Sequence, residues 1–321
     1  MRYYSLVLTP STSGGVSKTW TSYPNGRFDP GAQNIIYDMP VAPSAEPIGM
    51  QSLTIEGISL DDLQQSQQFA GSNLSLTIGM GGGMPLENPN QVKLAAYGSV
   101  FQSFGNWVGT DMTLDFIITP SIYTTKTPGN FQLVWKKGQP LSSALQQCLQ
   151  TAYHGTGLTV NVNINQNIIA PENITHVVPT LTSLARWIAA KTSKSSSGAV
   201  QIVAQNGVIL AYDRTYLPTP INIEYTDLIG QPTWLEPFTM QMKLVARGDI
   251  QVGDTIMLPQ GYLTNAAGAV TTTAASYPSS NRYKSTFAQG FFVTKLRQIG
   301  NFRSSDGGEW ATILNCTPNV T

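Results

Sequence analysis

The chain has 321 residues, long enough for two or three domains, with Lys+Arg and Asp+Glu both at 18 and a formal net charge of zero. That balance leaves no general electrostatic footprint for nucleic acid. Charged residues are only 11% of the chain, against about 25% in ordinary soluble domains, and this weakly repelling, Ser/Thr/Asn/Gln-rich composition suits a subunit packed in an assembly.

Taken in order, residues 1–128 read as a β-rich block. Tyr3–Leu8 is a strand. Thr19–Gln33 is loop-like, with Tyr23-Pro-Asn-Gly26 as an explicit turn. Asn34–Met39 is apolar and Met39-Pro40 closes it, while Met50–Gly57 alternates apolar and polar. Leu60–Phe69 fits a helical turn, with Ser59 as N-cap and Asp61 and Asp62 in the first turn. Leu74–Gly79, Tyr97–Phe104 and Met112–Thr119 complete a set of strands spaced as in a barrel or sandwich.

Residues 129–215 read as an α+β block. Phe131–Trp135 is strand-like. Gln139–Tyr153 is a helix, with Pro140 in its first turn and Leu141, Leu145, Cys148, Leu149 and Ala152 as one apolar stripe. Leu158–Ile164 alternates as a strand, and Leu181–Lys191 is a second helix capped by Thr180 or Thr182. Asn206-Gly207, between two β-branched runs, is the strongest hairpin signal in the chain.

Residues 216–321 form a second β-barrel block. From Phe238, alternation puts Phe238, Met240, Met242, Leu244 and Ala246 on one face and Thr239, Gln241, Lys243 and Arg247 on the other. Further strands follow at Ile250–Pro259, Phe291–Gly300 and Glu309–Cys316. The long polar loop 263–284 is too long for a plain hairpin and is expected to order against a neighbouring chain. The expected fold class is therefore mainly β with an α+β insert: two tube-like antiparallel β-barrel domains flanking a small α+β domain.

Reaction chemistry finds little support. Gly79-Met-Gly-Gly-Gly83 lacks the Gly-Lys-Ser/Thr of a P-loop and opens no helix. His154 and His176 have no ligand-spaced partner, so no metal site is expected. Asp61, Asp62, Asp249, Asp254, Asp306 and Glu309 could in principle pair for acid–base work, yet most sit at a helix start or beside glycine in a turn. Trp135, Trp187 and Trp310 lie on amphipathic elements, where core packing accounts for them better than a stacking platform. Cys148 and Cys316 form no disulfide framework and read as buried thiols. Residues 1–10 carry too short an apolar run for a signal peptide, and no run reaches membrane-span length. Neither a cofactor nor an enzymatic activity is expected.

Two stretches carry a family resemblance. Ile250-Gln-Val-Gly-Asp-Thr-Ile-Met-Leu-Pro259, including Val252, Gly253, Asp254 and Pro259, followed by Gly300 and by Trp310-Ala-Thr312, resembles the second barrel of bacteriophage tail baseplate hub proteins, the late-control protein D group and the hubs of contractile tails among them. Those hubs carry an H-x-G-D pattern where this chain has Gln298-Ile-Gly-Asn301, so it departs at both polar positions. Trp135-Lys-Lys-Gly138 before Pro140-Leu141 is similar to the start of the middle-domain helix in the same family. The resemblance implies a homotrimeric ring in the virion tail baseplate, assembled in the host cytoplasm. Its partners would be other copies of itself, the hexameric tail tube, the central spike and other baseplate proteins, with DNA only in transit through the lumen. Thr239, Gln241 and Lys243, or Thr54 and Glu56, would then face the lumen or an interface. A tail-tube or distal-tail ring protein, or a carbohydrate-binding or carbohydrate-cleaving tail protein, are the alternatives.

Overall fold

A computed structural model describes residues 1–10, 17–46, 50–81, 87–124, 127–259, 271–272 and 290–318. The strands of the first block are β1 (Arg2–Thr9), β2 (Lys18–Thr21), β3 (Asn34–Val41), β4 (Gln51–Glu56), β5 (Asn73–Met80), β6 (Lys93–Val108) and β7 (Asp111–Thr119). A short helix, α1 (Leu60–Gln64), lies between β4 and β5. The middle block holds β8 (Phe131–Trp135), α2 (Leu141–Ala152), β9 (Thr159–Asn163), β10 (Ile174–Val178), α3 (Leu181–Thr192), β11 (Gln201–Gln205) and β12 (Val208–Tyr212). The last block holds β13 (Ile221–Asn222), β14 (Thr233–Glu236), β15 (Thr239–Val245), β16 (Thr255–Met257), β17 (Thr271–Thr272), β18 (Phe291–Asn301) and β19 (Trp310–Pro318). The fold is mainly β with an α+β insert.

Two compact units result. One gathers residues 1–40, 50–118 and 218–321, and the other gathers 41–49 and 119–217. In the first unit the strands run in the order β17-β14-β15-β19-β18-β3-β4-β7-β6-β5-β1-β2, with β13 and β16 attached beside β18. The first and last blocks therefore meet at β3 and β18 within one sheet. Period-two alternation explains the face each strand buries. Tyr4, Leu6 and Leu8 of β1, Leu74, Leu76 and Ile78 of β5, and Leu114, Phe116 and Ile118 of β7 all enter one core.

Several strands depart from simple alternation. In β18, Phe291 and Val293 are buried, but beyond them the buried positions are Leu296, Gln298 and Gly300. A bulge between Val293 and Lys295 against β19 inserts one residue and exchanges the faces. Thr294, the extra residue, donates its hydroxyl to the Asn315 carbonyl at 3.0 Å. Residues 19–21, expected as loop, belong to the strand β2 because β1 offers it a ladder from Ser5 to Leu8. Pro40 does not end β3, which continues to Val41. Phe238, expected on the buried face, lies at the β14–β15 turn and is 58% exposed.

In the second unit, β8 pairs antiparallel with β10, while β9 and β11 flank β12. Asn206 and Gly207 take φ of 49° and 79°, the left-handed pair of a tight hairpin, and Gln205 pairs with Val208 across them. The α2 stripe of Leu141, Leu145, Cys148 and Leu149 and the α3 stripe of Leu181, Leu184, Ala185 and Ile188 close the core of this unit. Thr180 caps α3 by accepting the Ser183 amide at 3.3 Å.

Gly300 marks the tightest approach in the first unit. A Cβ there would lie 2.1 Å from Cε1 of Tyr37. The Tyr37 ring is itself wedged edge-on against Trp310, 5.3 Å between centroids. Gly300→Ala should therefore lower unfolding stability by at least about 2 kcal/mol, the scale of core overpacking. Gly307→Ala, with nothing within 4 Å of the added carbon, should stay within about 0.5 kcal/mol. Urea unfolding of the two variants checks this, and equal midpoints would refute the wedge.

Candidate functional site

Site residues expected from the sequence fall into three places. Val252, Gly253 and Asp254 form the turn before β16. Gly253 takes φ of 99°, which favours glycine. Its amide donates to the Val293 carbonyl at 2.9 Å, and the Val293 amide donates to the Asp254 carbonyl at 2.9 Å. The Asp254 carboxylate accepts the Gln251 amide at 2.7 Å and closes the turn. Burial pushes this carboxyl from 3.8 up to about 6, partly offset by that hydrogen bond and reinforced by the charge of Asp249. Pro259 is the last described residue before the segment 260–270. The expected loop 263–284 lies outside the described residues apart from the short strand β17.

Gly300, Trp310 and Thr312 lie where β18 and β19 pair, with Gly300 opposite Trp310 and Gln298 opposite Thr312. Trp310 donates its indole N–H to the Gly79 carbonyl at 3.1 Å. Arg2 lies over the Trp310 ring, 5.8 Å from the centroid, and donates to the carbonyls of Asn301, Ser304 and Asp306. The first residue of the Gly79–Gly83 run thus serves packing: a Cβ at Gly79 would meet Val92 Cγ2 at 2.7 Å. Residues 82–83 of that run lie outside the described residues.

Trp135 and Gly138 belong to the second unit. Gly138 takes φ of 80° and donates its amide to the Ala170 carbonyl at 3.0 Å. Trp135 is buried and donates to the Gln139 carbonyl at 2.8 Å. The motif fixes the turn into α2.

Alternation places Arg247 on the face of Thr239, Gln241 and Lys243, but the structure holds it in a buried polar cluster. Its side chain is only 3% exposed. The guanidinium donates to Asp227 Oδ2 at 2.8 Å and to both carboxylate oxygens of Asp249 at 2.7 and 2.8 Å. Asp227 also accepts from Gln91 Nε2 at 2.9 Å and from the Glu224 amide at 3.0 Å. The Arg247 carbonyl accepts from Gln298 Nε2 at 2.8 Å, and the Thr312 hydroxyl donates to Gln298 Oε1 at 2.6 Å. Gln298, one of the two departures from the family pattern, is thus a buried connector. The Arg247-Gly-Asp249 spacing could have hinted at the local pair, but nothing in sequence points to Gln91, 136 residues from Asp227. Burial would lower the Arg247 pKa, yet the hydrogen bonds and charges of Asp249 and Asp227 outweigh it and the net direction is up.

Of the carboxylates weighed for acid–base work, Asp62, Asp249, Asp254 and Asp306 have structural partners. Ser59 caps α1 by accepting the Asp62 amide at 3.1 Å, and Asp62 pairs with Lys18 at 2.7 Å. Asp306 accepts the Gly308 amide at 2.7 Å. His176 stacks on Trp187, 4.4 Å between centroids. Burial pushes the Cys148 thiol up to about 11 and raises that of Cys316. Among the described residues, no group of three or more His, Cys, Asp or Glu is placed to hold a metal, and no helix is long and apolar enough to cross a membrane.

The non-core face of the joined sheet is the candidate functional surface. Lys243 on β15 and Arg297 on β18 both register with Ile313 of β19. Gln241 donates to Asn315 across the same ladder at 3.2 Å. Arg297 reaches Asp38 on β3 through two hydrogen bonds. Thr54 on β4 donates to Asp115 on β7 at 2.6 Å, and Glu56 accepts from Asn34 at 2.9 Å. Both sets of residues expected at a lumen or interface, Thr239–Lys243 and Thr54–Glu56, therefore lie on the same side of the sheet, interspersed with the apolar Ile36 and Ile313. Its cations Lys243, Lys295 and Arg297 share this side with the carboxylates of Asp38, Glu56 and Asp115.

The fold defines the chain's class: a joined, largely antiparallel β unit carrying an α+β insert. No family model matches the sequence, and no curated protein sequence matches it either. Solved structures share the fold, two of them with a TM-score above 0.5 as follows. The E. coli c3393 protein, described as a component of the type VI secretion system with structural similarity to the T4 bacteriophage tail proteins gp27 and gp5, aligns with a TM-score of 0.53 at 9% identity, over 89% of this chain and 73% of that one. The 43 kDa tail protein of prophage MuSo2 from Shewanella oneidensis aligns with a TM-score of 0.51 at 8% identity, over 99% of this chain and 97% of that one.

Asp227→Ala leaves the buried guanidinium and Gln91 short of a partner and should cost about 3–5 kcal/mol. Arg297→Ala breaks an ion pair whose partners are 54% and 40% exposed and should cost under about 1 kcal/mol. Denaturant unfolding of both variants ranks them, and the reverse order would remove the Arg247 cluster from its structural role. Asp254 has a folded pKa raised above its unfolded value. Its contribution is fully present below pH 3.8 and is lost as pH rises through about 6. Asp254→Asn should gain stability relative to the parent between pH 4 and 8, by up to about 3 kcal/mol. A parent–variant difference that stays flat over that range would show an unshifted carboxyl.

Proposed function

We propose that this chain is a structural hub of a phage-type tail baseplate, without enzymatic activity. It would assemble as a homotrimeric ring between the hexameric tail tube and the central spike, in the virion tail. The observation that carries this reading is the joined sheet: strands from the first and last blocks of the chain build one unit, and the side of it away from the core carries both cations and carboxylates, Arg297 and Asp38 among them. One subunit supplying two tube-like sheet halves matches a trimer to a sixfold tube. A face whose cations are offset by carboxylates would let a phosphate backbone slide past, because retention requires unopposed Lys and Arg to displace counterions. The shared fold with the Shewanella prophage tail protein and with E. coli c3393 supports a tail-like role.

Mass measurement of the intact chain in solution tests the reading. A stable species at three times the 34.7 kDa chain mass is expected. A hexamer would assign the chain to a tube or distal-tail ring instead, and a monomer that binds glycan would overturn the hub.

A further inference from the structure

We infer that the second unit carries a docking groove for an extended acidic peptide, which would pair as an added strand with β8. Among the described residues β8 pairs on one side only, with β10. In an antiparallel ladder, alternate N–H and C=O groups of a strand point away from its partner. Those of Phe131–Trp135 that do so meet no ladder strand among the described residues. A groove of about 760 Å³ runs along β8 beside α2, lined by Gln132, Val134 and Lys136 of the strand side and by Gln147, Cys148 and Thr151 of the helix. That volume is in the range of clefts that hold specific ligands.

Lysine on an edge strand commonly discourages pairing. Here the lysines gather at one end. Lys136 and Lys137 follow Trp135 directly, and neither makes an ion pair among the described residues. Their amides are occupied by Gln139 Oε1 and Asn173 Oδ1, which fixes the backbone at that end. Gln132 and Val134 remain open along the rest of the strand. Two unpaired ammonium groups beside a fixed strand end favour a partner with carboxylates at the matching end. Strand addition of this kind takes affinity from main-chain hydrogen bonds and specificity from alternate side chains. This inference uses only the second unit and stands whether or not the chain forms a trimer.

Synthetic peptides of alternating Thr and Val, with two Glu at one or the other end, test it on the full chain by fluorescence anisotropy. One of the two should bind at least about tenfold tighter than the same peptide with Lys in place of Glu, by charge complementarity. N-methylation of one set of alternate peptide amides should abolish binding, and methylation of the other set should not. Lys136→Glu with Lys137→Glu should reverse the charge preference. Absence of saturable binding by either Glu peptide would overturn the proposal, as would binding indifferent to N-methylation. Self-association of the parent that the double charge reversal removes would assign the edge to a second copy of the chain and overturn it too.

Discussion

The first unit depends on one buried cation. Arg247 sits just past the end of β15, where the chain must leave the sheet, and a guanidinium there would be very costly without carboxylates around it. Asp227 and Asp249 supply them in fixed geometry. Through Asp227 the cluster takes hold of Gln91, which belongs to the first block of the chain, while the Gly248 amide donates to the Gln91 carbonyl at 2.9 Å. A Cβ on Gly248 would come within 2.2 Å of the Lys93 carbonyl oxygen. Residues from the two ends of the chain therefore cannot be separated here without stranding charge and polar groups away from water. A hydrophobic replacement of equal shape could match the energy of such a cluster, whereas removing one partner strands a buried charge.

Around that anchor, aromatic packing sets the second joint between the blocks. Trp310 of β19 lies against Tyr37 of β3 and Phe302, and its N–H reaches the Gly79 carbonyl of β5. Gly300 leaves room for the Tyr37 ring. Through these contacts Gly300 and Trp310 set how closely β18 and β19 approach β3 and β5. They leave the opposite face of the sheet free to be polar.

The expected elements were legible to different degrees for physical reasons. Helices α2 and α3, with their stripes and cap, and the Asn206-Gly207 hairpin were readable because local periodicity and turn chemistry decide them. The strand β2 was not, because Lys18–Thr21 has no strong pattern and pairs only because β1 is next to it. The β18 bulge was hidden as well, since its run of residues from Phe291 to Gly300 reads as one strand and only pairing with β19 reveals the extra residue. Arg247 was misplaced because strict alternation was carried past Val245, where the ladder ends.

By itself, the sequence determined a mainly β chain with an α+β insert, the position of its tight turns, and the glycines and aromatics that bound its last strands. Those features rest on dihedral preferences and on alternation within a few residues. Only the tertiary structure decided that the first and last blocks share one sheet, that Gln91, Asp227, Arg247 and Gln298 meet, and that Thr54 and Lys243 lie on a common face. Each of these depends on partners far apart along the chain, and their pairing energies come from burial and from ladder register, which no local pattern encodes.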